Sequence, residues 1–237
     1  MITQVKFWHA LWVTVQYALV TTVSEMVLGL LIALTLNRSN WVTRILKVVL
    51  IFPLMVAPVI AVLLWQLMTN SSIGILDRLL NIFGVYGFPW VSQSSTALFS
   101  VALVDIWVYT PFVMLLILAG LQSMPKSPYE SALIDGGSAW FTFRTLTLPM
   151  LKPFMYIALI FRLMAALQEF GIIYSWTRGG PGDTLMNLSL TAYTTSFVYF
   201  KFAESLPYIL VLWVIIYAIS KFLVGKWLKV TQTSSGR

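Results

Sequence analysis

Five apolar stretches dominate the chain, at residues 10–36, 48–68, 98–121, 154–176 and 206–223. Each is long enough to be a membrane helix, since a helix needs roughly 20 residues to cross the hydrocarbon of a bilayer. Between them lie polar segments at 37–47, 69–97, 122–153 and 177–205. The pattern predicts an all-α membrane protein, one transmembrane domain over residues 1–237 with about five spans. Composition agrees: the 237 residues are 59% hydrophobic and only 10% charged, where a soluble domain carries about a quarter charged residues.

The polar segment 122–153 reads QSMPKSPYESALIDGGSAWFTFRTLTLPMLKP. Ser127 suits a helix N-cap, Pro128 the first helical position, and Glu130 follows three residues after the cap, an S-x-x-E capping box. A helix through Ala132 and Asp135 then meets Gly136 and Gly137, which tolerate the left-handed backbone of a C-terminal stop. Ser138 suits the cap of a second short helix, from Ala139 to about Leu146, before Pro149 and Pro153 break the chain. The expectation is a compact helix–turn–helix, too short to span and flanked by Lys126, Arg144 and Lys152.

Charge sets the orientation. With 122–153 in the cytoplasm, Arg38, Arg44, Lys47, Lys126, Arg144, Lys152, Lys221, Lys226, Lys229 and Arg237 fall inside. Lys6, Arg78, Arg178 and Lys201 fall outside, and Arg162 lies within a span. Basic residues collect on the cytoplasmic side of membranes, so the N-terminus is expected outside and the C-terminus inside. The net charge of +7 is scattered between apolar runs, which argues against nucleic acid as a partner. With no cysteine and one histidine, His9, the chain lacks a thiol nucleophile, a disulfide framework and a metal cluster. It also lacks G-x-x-x-x-G-K-[ST], so no catalytic, cofactor or metal site is expected and ATP hydrolysis is not its own. The first apolar run exceeds a signal-peptide h-region and has no small-residue cleavage site. Phe7, Trp8 and Trp12, within and just after residues 1–9, read as an interfacial aromatic belt.

A charge at mid-bilayer costs about 2.5–3.5 kcal/mol on insertion scales, so each one needs a reason. In the fourth stretch Arg162 and Glu169 are seven residues apart, on one face of a continuous helix, with Ala165 and Ala166 between them. In the third, Asp105, Val108, Tyr109 and Phe112 share a face, and Pro111 should kink the helix. Opposed, these faces make a polar, aromatic cavity that suits a sugar; the alternative is an Arg162–Glu169 or Arg162–Asp105 ion pair that fixes helix packing. Glu25 lies beside Thr21, Thr22 and Ser24, which are expected to satisfy it at a helix–helix contact. Outside the spans, Leu79, Leu80, Ile82 and Phe83 suit an amphipathic helix on the outer surface. Thr177 to Gly182 is a glycine–proline turn, and residues 186–200 are too polar to span, so they pack on the outer face or re-enter. A plain extracellular cap is the alternative for both loops.

Glu130, Ser131 and Ala132, then Asp135, Gly136 and Gly137, then Leu146-x-Leu148-Pro149 resemble the EAA loop of ABC importer permeases. The spacing of E-A-A, two residues, D-G-A, eight residues, I-x-L-P is kept, with Ser131 and Gly137 for alanine and Leu146 for isoleucine. The turn Thr177-Arg178-Gly179-Gly180-Pro181 is similar to one in the carbohydrate-type permeases of that family. The resemblance implies a type I ABC importer transmembrane domain in a bacterial cell membrane. It implies a second homologous permease subunit, two ABC ATPase subunits that bind ATP and magnesium, an extracytoplasmic solute-binding protein and a small-molecule substrate. Glu130 to Gly137 would form the coupling helix, and the positions of Asp105, Tyr109, Phe112, Arg162 and Glu169 would lie near a mid-membrane sugar site. A di- or oligosaccharide is the expected substrate, with glycerol-3-phosphate the alternative, since Arg162 could serve an anionic group. Family members mostly carry a further span upstream, so this chain is expected to lack it or to begin at an internal methionine. Rival classes are an ion-coupled secondary transporter, which often uses intramembrane carboxylates, and a membrane enzyme using Asp105, Arg162 and Glu169 as acids and bases.

Overall fold

The structure is a computed structural model that describes residues 5–38 and 40–235. Residues 1–4 of the aromatic-belt segment and Arg237 of the charge count lie outside the described residues. Helix α1 (Val5–Leu36) is the first long apolar element. The second stretch is not one span. Helix α2 (Trp41–Ile51) runs into a 3-10 turn at Phe52–Met55, and α3 (Pro58–Met68) leaves it at 104°. Part of the cause is local: Pro58 disfavours helical backbone at Ala57, and Val56 and Ala57 have ψ of 130° and 138°. Asn40 starts α2 with a reciprocal capping box to Thr43.

Helix α4 (Ile75–Ile82) is the short amphipathic helix expected in the second loop. Helix α5 (Ser94–Gln122) is the most deeply buried of the long helices and continues through Pro111. It packs closely on α1 because Gly29 has no side chain; a Cβ there would lie 2.7 Å from Val113 Cγ1. The polar segment forms α6 (Ser127–Ile134) and α7 (Ala139–Thr142). A π-helical turn, Phe143–Thr147, then leads into α8 (Leu148–Leu167). The helix beginning at Ala139 therefore does not stop near Leu146. The π turn bonds the Leu148 N–H to the Phe143 carbonyl, and the helix absorbs Pro149 and Pro153 and runs on as a 29-residue apolar element to Leu167.

The fourth stretch is also broken. Helix α8 ends at Leu167, and α9 (Gly171–Thr177) starts after a three-residue gap. Within 186–200, α10 (Leu188–Tyr193) and a π turn at Thr194–Val198 pack between α1 and the final helix, α11 (Phe202–Ser235). Leu188 and Leu190 are fully buried there, and the Leu188 N–H donates to Thr14 Oγ of α1 at 2.9 Å. Among the described residues four helices are thus long and apolar enough to cross a membrane, or five elements if the bent α2–α3 pair counts as one. No strand occurs among the described residues. Broad apolar exposure on α1, α3 and α11, with Trp8 and Trp12 turned outward and Phe7 buried, is what a lipid-facing bundle requires.

Candidate functional site

Three spans each contribute one charged side chain to a buried cluster. Arg162 of α8 donates from Nε and Nη2 to the two carboxylate oxygens of Glu25 on α1, at 2.5 and 2.7 Å. Its Nη2 also donates to Asp105 Oδ2 of α5 at 3.1 Å. All three side chains are almost fully buried. The guanidinium carbon sits 4.1 Å from the centre of the Tyr109 ring, a cation–π contact on its remaining open face. Planar, bidentate pairing is what a guanidinium offers and an ammonium does not. The cluster riveting α1, α5 and α8 thus sets two carboxylates against one cation. Asp105 Oδ1 and the hydroxyls of Tyr17, Thr22 and Thr110 are buried without a hydrogen-bond partner.

Two expectations change here. Glu25 is satisfied not by its threonine and serine neighbours but by Arg162, 137 residues away; Thr21 instead donates to the Tyr17 carbonyl of its own helix. Arg162 and Glu169 do not share a face of one helix, because α8 ends between them, and they form no ion pair. Glu169 serves the break itself. Its Oε1 accepts the Ile172 N–H at 2.7 Å, while Asn187 Nδ2 donates to the Glu169 carbonyl at 2.5 Å. Asn187 Oδ1 also caps α10 by accepting the Leu190 N–H. A broken helix at membrane depth must have its freed backbone groups satisfied by protein, and Glu169 and Asn187 do this. Asn187 was missed in the sequence reading, although an asparagine immediately before Leu188-Ser189-Leu190 is a recognisable N-cap.

Of the five side chains expected near the path, Asp105 and Arg162 are buried within the bundle. Tyr109, Phe112 and Glu169 are partly exposed. Phe112 packs edge-on to Phe161, ring centres 6.2 Å apart, and Phe161 lies largely open.

The projecting end differs from the sequence reading in its start and matches it in its stop. Ser127 is already helical, and the cap position falls on Lys126, which makes no side-chain cap. The capping box between Ser127 and Glu130 is therefore not formed. Lys126 adopts helical backbone, so its carbonyl takes the Tyr129 and Glu130 N–H groups and the Ser127 side chain is one residue too far along. The stop is a Schellman motif: Gly137 N–H donates to the Ala132 carbonyl and Gly136 N–H to that of Leu133. Gly136 has φ +75°, the left-handed backbone that this motif demands. Ser138 caps α7 through the Phe141 N–H as expected. Tyr129 ties α6 back to the bundle, its hydroxyl 3.1 Å from Met124 Sδ and Thr147 Oγ. Glu130, Ser131, Asp135 and Gly136 are exposed, and Ala132 and Gly137 half-buried. Beside them Leu133, Ile134, Trp140 and Phe141 stand 55–87% exposed. So large an apolar tip amid polar residues marks a contact surface for protein or membrane.

A multi-pass helical bundle with a broken span, a short helix packed between its first and last long helices and a projecting, glycine-stopped helix pair suits the membrane subunit of a transporter. The chain belongs to the family described as binding-protein-dependent transport system inner membrane components, matched over residues 25–229. It is thereby an ABC importer permease, and ATP hydrolysis in such systems lies in separate subunits. It is 41% identical over 188 residues to the trehalose/maltose transport system permease protein MalF of Thermococcus litoralis, covering 79% of this chain. The chain spans 64% of that relative's length. It is 33% identical to the sulfoquinovosyl glycerol transport system permease protein SmoG of Agrobacterium fabrum, over 96% of this chain and 72% of the relative. Among solved structures, a chain of a bacterial ABC transporter importing the acidic polysaccharide alginate superposes with a TM-score of 0.85. That match covers 97% of this chain and 82% of the other at 19% identity, and it shows the shared fold.

Proposed function

We propose that this chain is one permease half of an ATP-driven, binding-protein-dependent importer of a saccharide, with the substrate passing between it and a homologous second permease. The observation that carries the reading is the α6–α7 projection, a rigid, Schellman-stopped helix with an apolar tip between two apolar elements. Two ATPase subunits would each grip such a knob, one on each permease, in the cytoplasm. That placement puts the N-terminus of this chain outside, in keeping with its distribution of basic residues. ATPase closure would push on Glu130 to Gly137, and α8, continuous from α7 through the π turn, would carry the displacement to the break at 168–170.

The saccharide assignment is supported by the relatives, named for trehalose and maltose and for sulfoquinovosyl glycerol. It is also supported by chemistry: Tyr109, Phe112 and Phe161 supply ring faces and Glu169 and Gln168 supply polar groups beside them, the mixture that sugar C–H faces and hydroxyls require. In this reading Glu25, Asp105 and Arg162 hold the wall, and Tyr109, Phe112 and Glu169 face the path. The experiment is ATP hydrolysis by the assembled complex with its binding protein and a saccharide panel. Stimulation by a sugar in wild type, lost in Gly136→Val and Glu130→Lys subunits that still insert and assemble, is the expected result. Retained stimulation in both variants would remove the coupling role from α6.

A further inference from the structure

Helix α6 is attached to the rest of the chain at its two ends, through residues 123–126 from α5 and residues 135–138 to α7. It buries none of its residues. Among the described residues, the only side-chain hydrogen bond from α6 to another helical element comes from the Tyr129 hydroxyl, 3.1 Å from Thr147 Oγ. Met124 Sδ lies at the same distance, but the hydroxyl has one proton to give, and a threonine oxygen is a better acceptor than a thioether. Thr147 is the last residue of the π turn and is buried. One helical turn on, Leu151 is fully buried. Leu151 and Phe154 seat α8 on α5 at Gly120, where a Cβ would lie 2.6 Å from the Phe154 ring. Thr147 therefore stands at the seated base of α8, in a kind of turn that is rare and often found at functional sites.

A helix held at its two ends can still roll about its own axis, by rotation in the turns on either side. Leu133 and Ile134 stand exposed off that axis, so a push on them acts as a torque. We infer that the Tyr129–Thr147 hydrogen bond is a latch that stops this roll, so that a push on the tip of α6 moves α8 instead of turning α6 in place. The inference rests on the coupling reading above and adds to it the joint through which the push leaves α6. The other route to α8 runs through Gly136 and Gly137, the most freely rotating backbone available, and would dissipate the displacement. An apolar contact at the joint would resist separation but not sliding, whereas a hydrogen bond is directional and fixes angle as well as distance. Tyr129 and Thr147 are thus positioning residues for coupling, acting through the two helices they join.

The test uses the assembled transporter, with both permeases, its ATPases and its binding protein in proteoliposomes, and maltose, trehalose or maltotriose as the imported probe. Tyr129→Phe and Thr147→Val each remove one hydroxyl and keep the side chain's shape, so insertion and the melting midpoint should match wild type. In each, kcat for uptake should fall about two- to tenfold, the worth of one hydrogen bond between neutral groups. KM should be unchanged, and the ATP hydrolysed per sugar imported should rise by the same factor. The double variant should be no worse than either single one, because the two hydroxyls act as a unit. Thr147→Ser, which keeps the hydroxyl, should behave as wild type. A Tyr129→Phe transporter with the wild-type ratio of ATP to sugar would overturn the latch. So would losses that multiply in the double variant, or an equal fall in uptake and ATP hydrolysis with a lowered melting midpoint, the mark of a merely structural contact. Gly136→Val and Glu130→Lys subunits that keep stimulated hydrolysis would show instead that α6 is not the coupling element, and the latch would fall with that reading.

Discussion

Removal of Arg162 probes the fold at its most loaded point. Arg162→Met retains much of the side chain's length and apolar bulk but deletes all three donated bonds to Glu25 and Asp105. Two carboxylates would then face one another in a dry interior. A unit charge pair about 4 Å apart is worth about 4 kcal/mol at an effective dielectric near 20. Breaking a buried pair by removing one partner costs about 3–5 kcal/mol. The cluster has one negative charge in excess with both acids ionised, so its members should differ sharply. Asp105→Asn removes the excess charge, keeps an acceptor for Arg162 Nη2 and places an amide at the unpartnered Oδ1. Arg162→Met should lower the unfolding midpoint of the detergent-solubilised subunit by roughly 10 °C. Asp105→Asn should move it by no more than a few degrees, in either direction. Glu25→Gln should fall between, because it breaks the bidentate pair but leaves Asp105 for the arginine. The assay is thermal unfolding followed by intrinsic tryptophan fluorescence, with insertion checked by membrane fractionation. An Arg162→Met subunit as stable as wild type, or an Asp105→Asn subunit as damaged as Arg162→Met, would refute the assignment of the cluster as the fastener of α1, α5 and α8.

Other variants test other joints. Gly29→Leu should cost at least 1–3 kcal/mol by overpacking, since even a Cβ there meets Val113 Cγ1 at 2.7 Å and the Met114 backbone N at 3.0 Å; reduced assembly yield would report it. Asn187→Leu removes both the cap of α10 and the bond to the Glu169 carbonyl. Protease sensitivity at residues 183–200 should rise in that variant, while accessibility of α6 stays as in wild type. Glu169→Gln keeps an acceptor for the Ile172 N–H, so assembly should survive and any change in substrate affinity reports the lost charge; unchanged transport kinetics would take Glu169 out of the path.

Three of the five long apolar stretches, the first, third and fifth, were legible as single helices with at least one end within a few residues, because length and uninterrupted hydrophobicity decide membrane helices. The breaks were not. Val56, Ala57 and Pro58 carry no charge to mark a break, yet extended backbone at Val56 and Ala57, the latter disfavoured from helix by Pro58, turns the chain by 104°. The gap at 168–170 has no proline to announce it; it exists because Asn187 and Ser189, from a segment nearly twenty residues on, satisfy its carbonyls. The exposed helix pair was legible in its stop, where Gly136 and Gly137 leave little choice, and misread in its start, where Ser127 and Lys126 compete for the cap within one residue. The charged cluster shows a further limit. Four ionisable residues in three apolar stretches, three acidic and one basic, signal pairing, but only packing reveals that Arg162 takes Glu25 as its first partner.

The most direct measurement of the central claim is site-directed crosslinking at the tip of α6. Because the chain contains no cysteine, Ile134→Cys is a single reporter at a side chain that is 87% exposed. In the assembled transporter a short bifunctional reagent should join position 134 to an ATPase subunit, with a yield that changes when ATP is added. A position 134 that reaches no nucleotide-binding partner, and that a membrane-impermeant maleimide labels from outside the cell, would contradict the account.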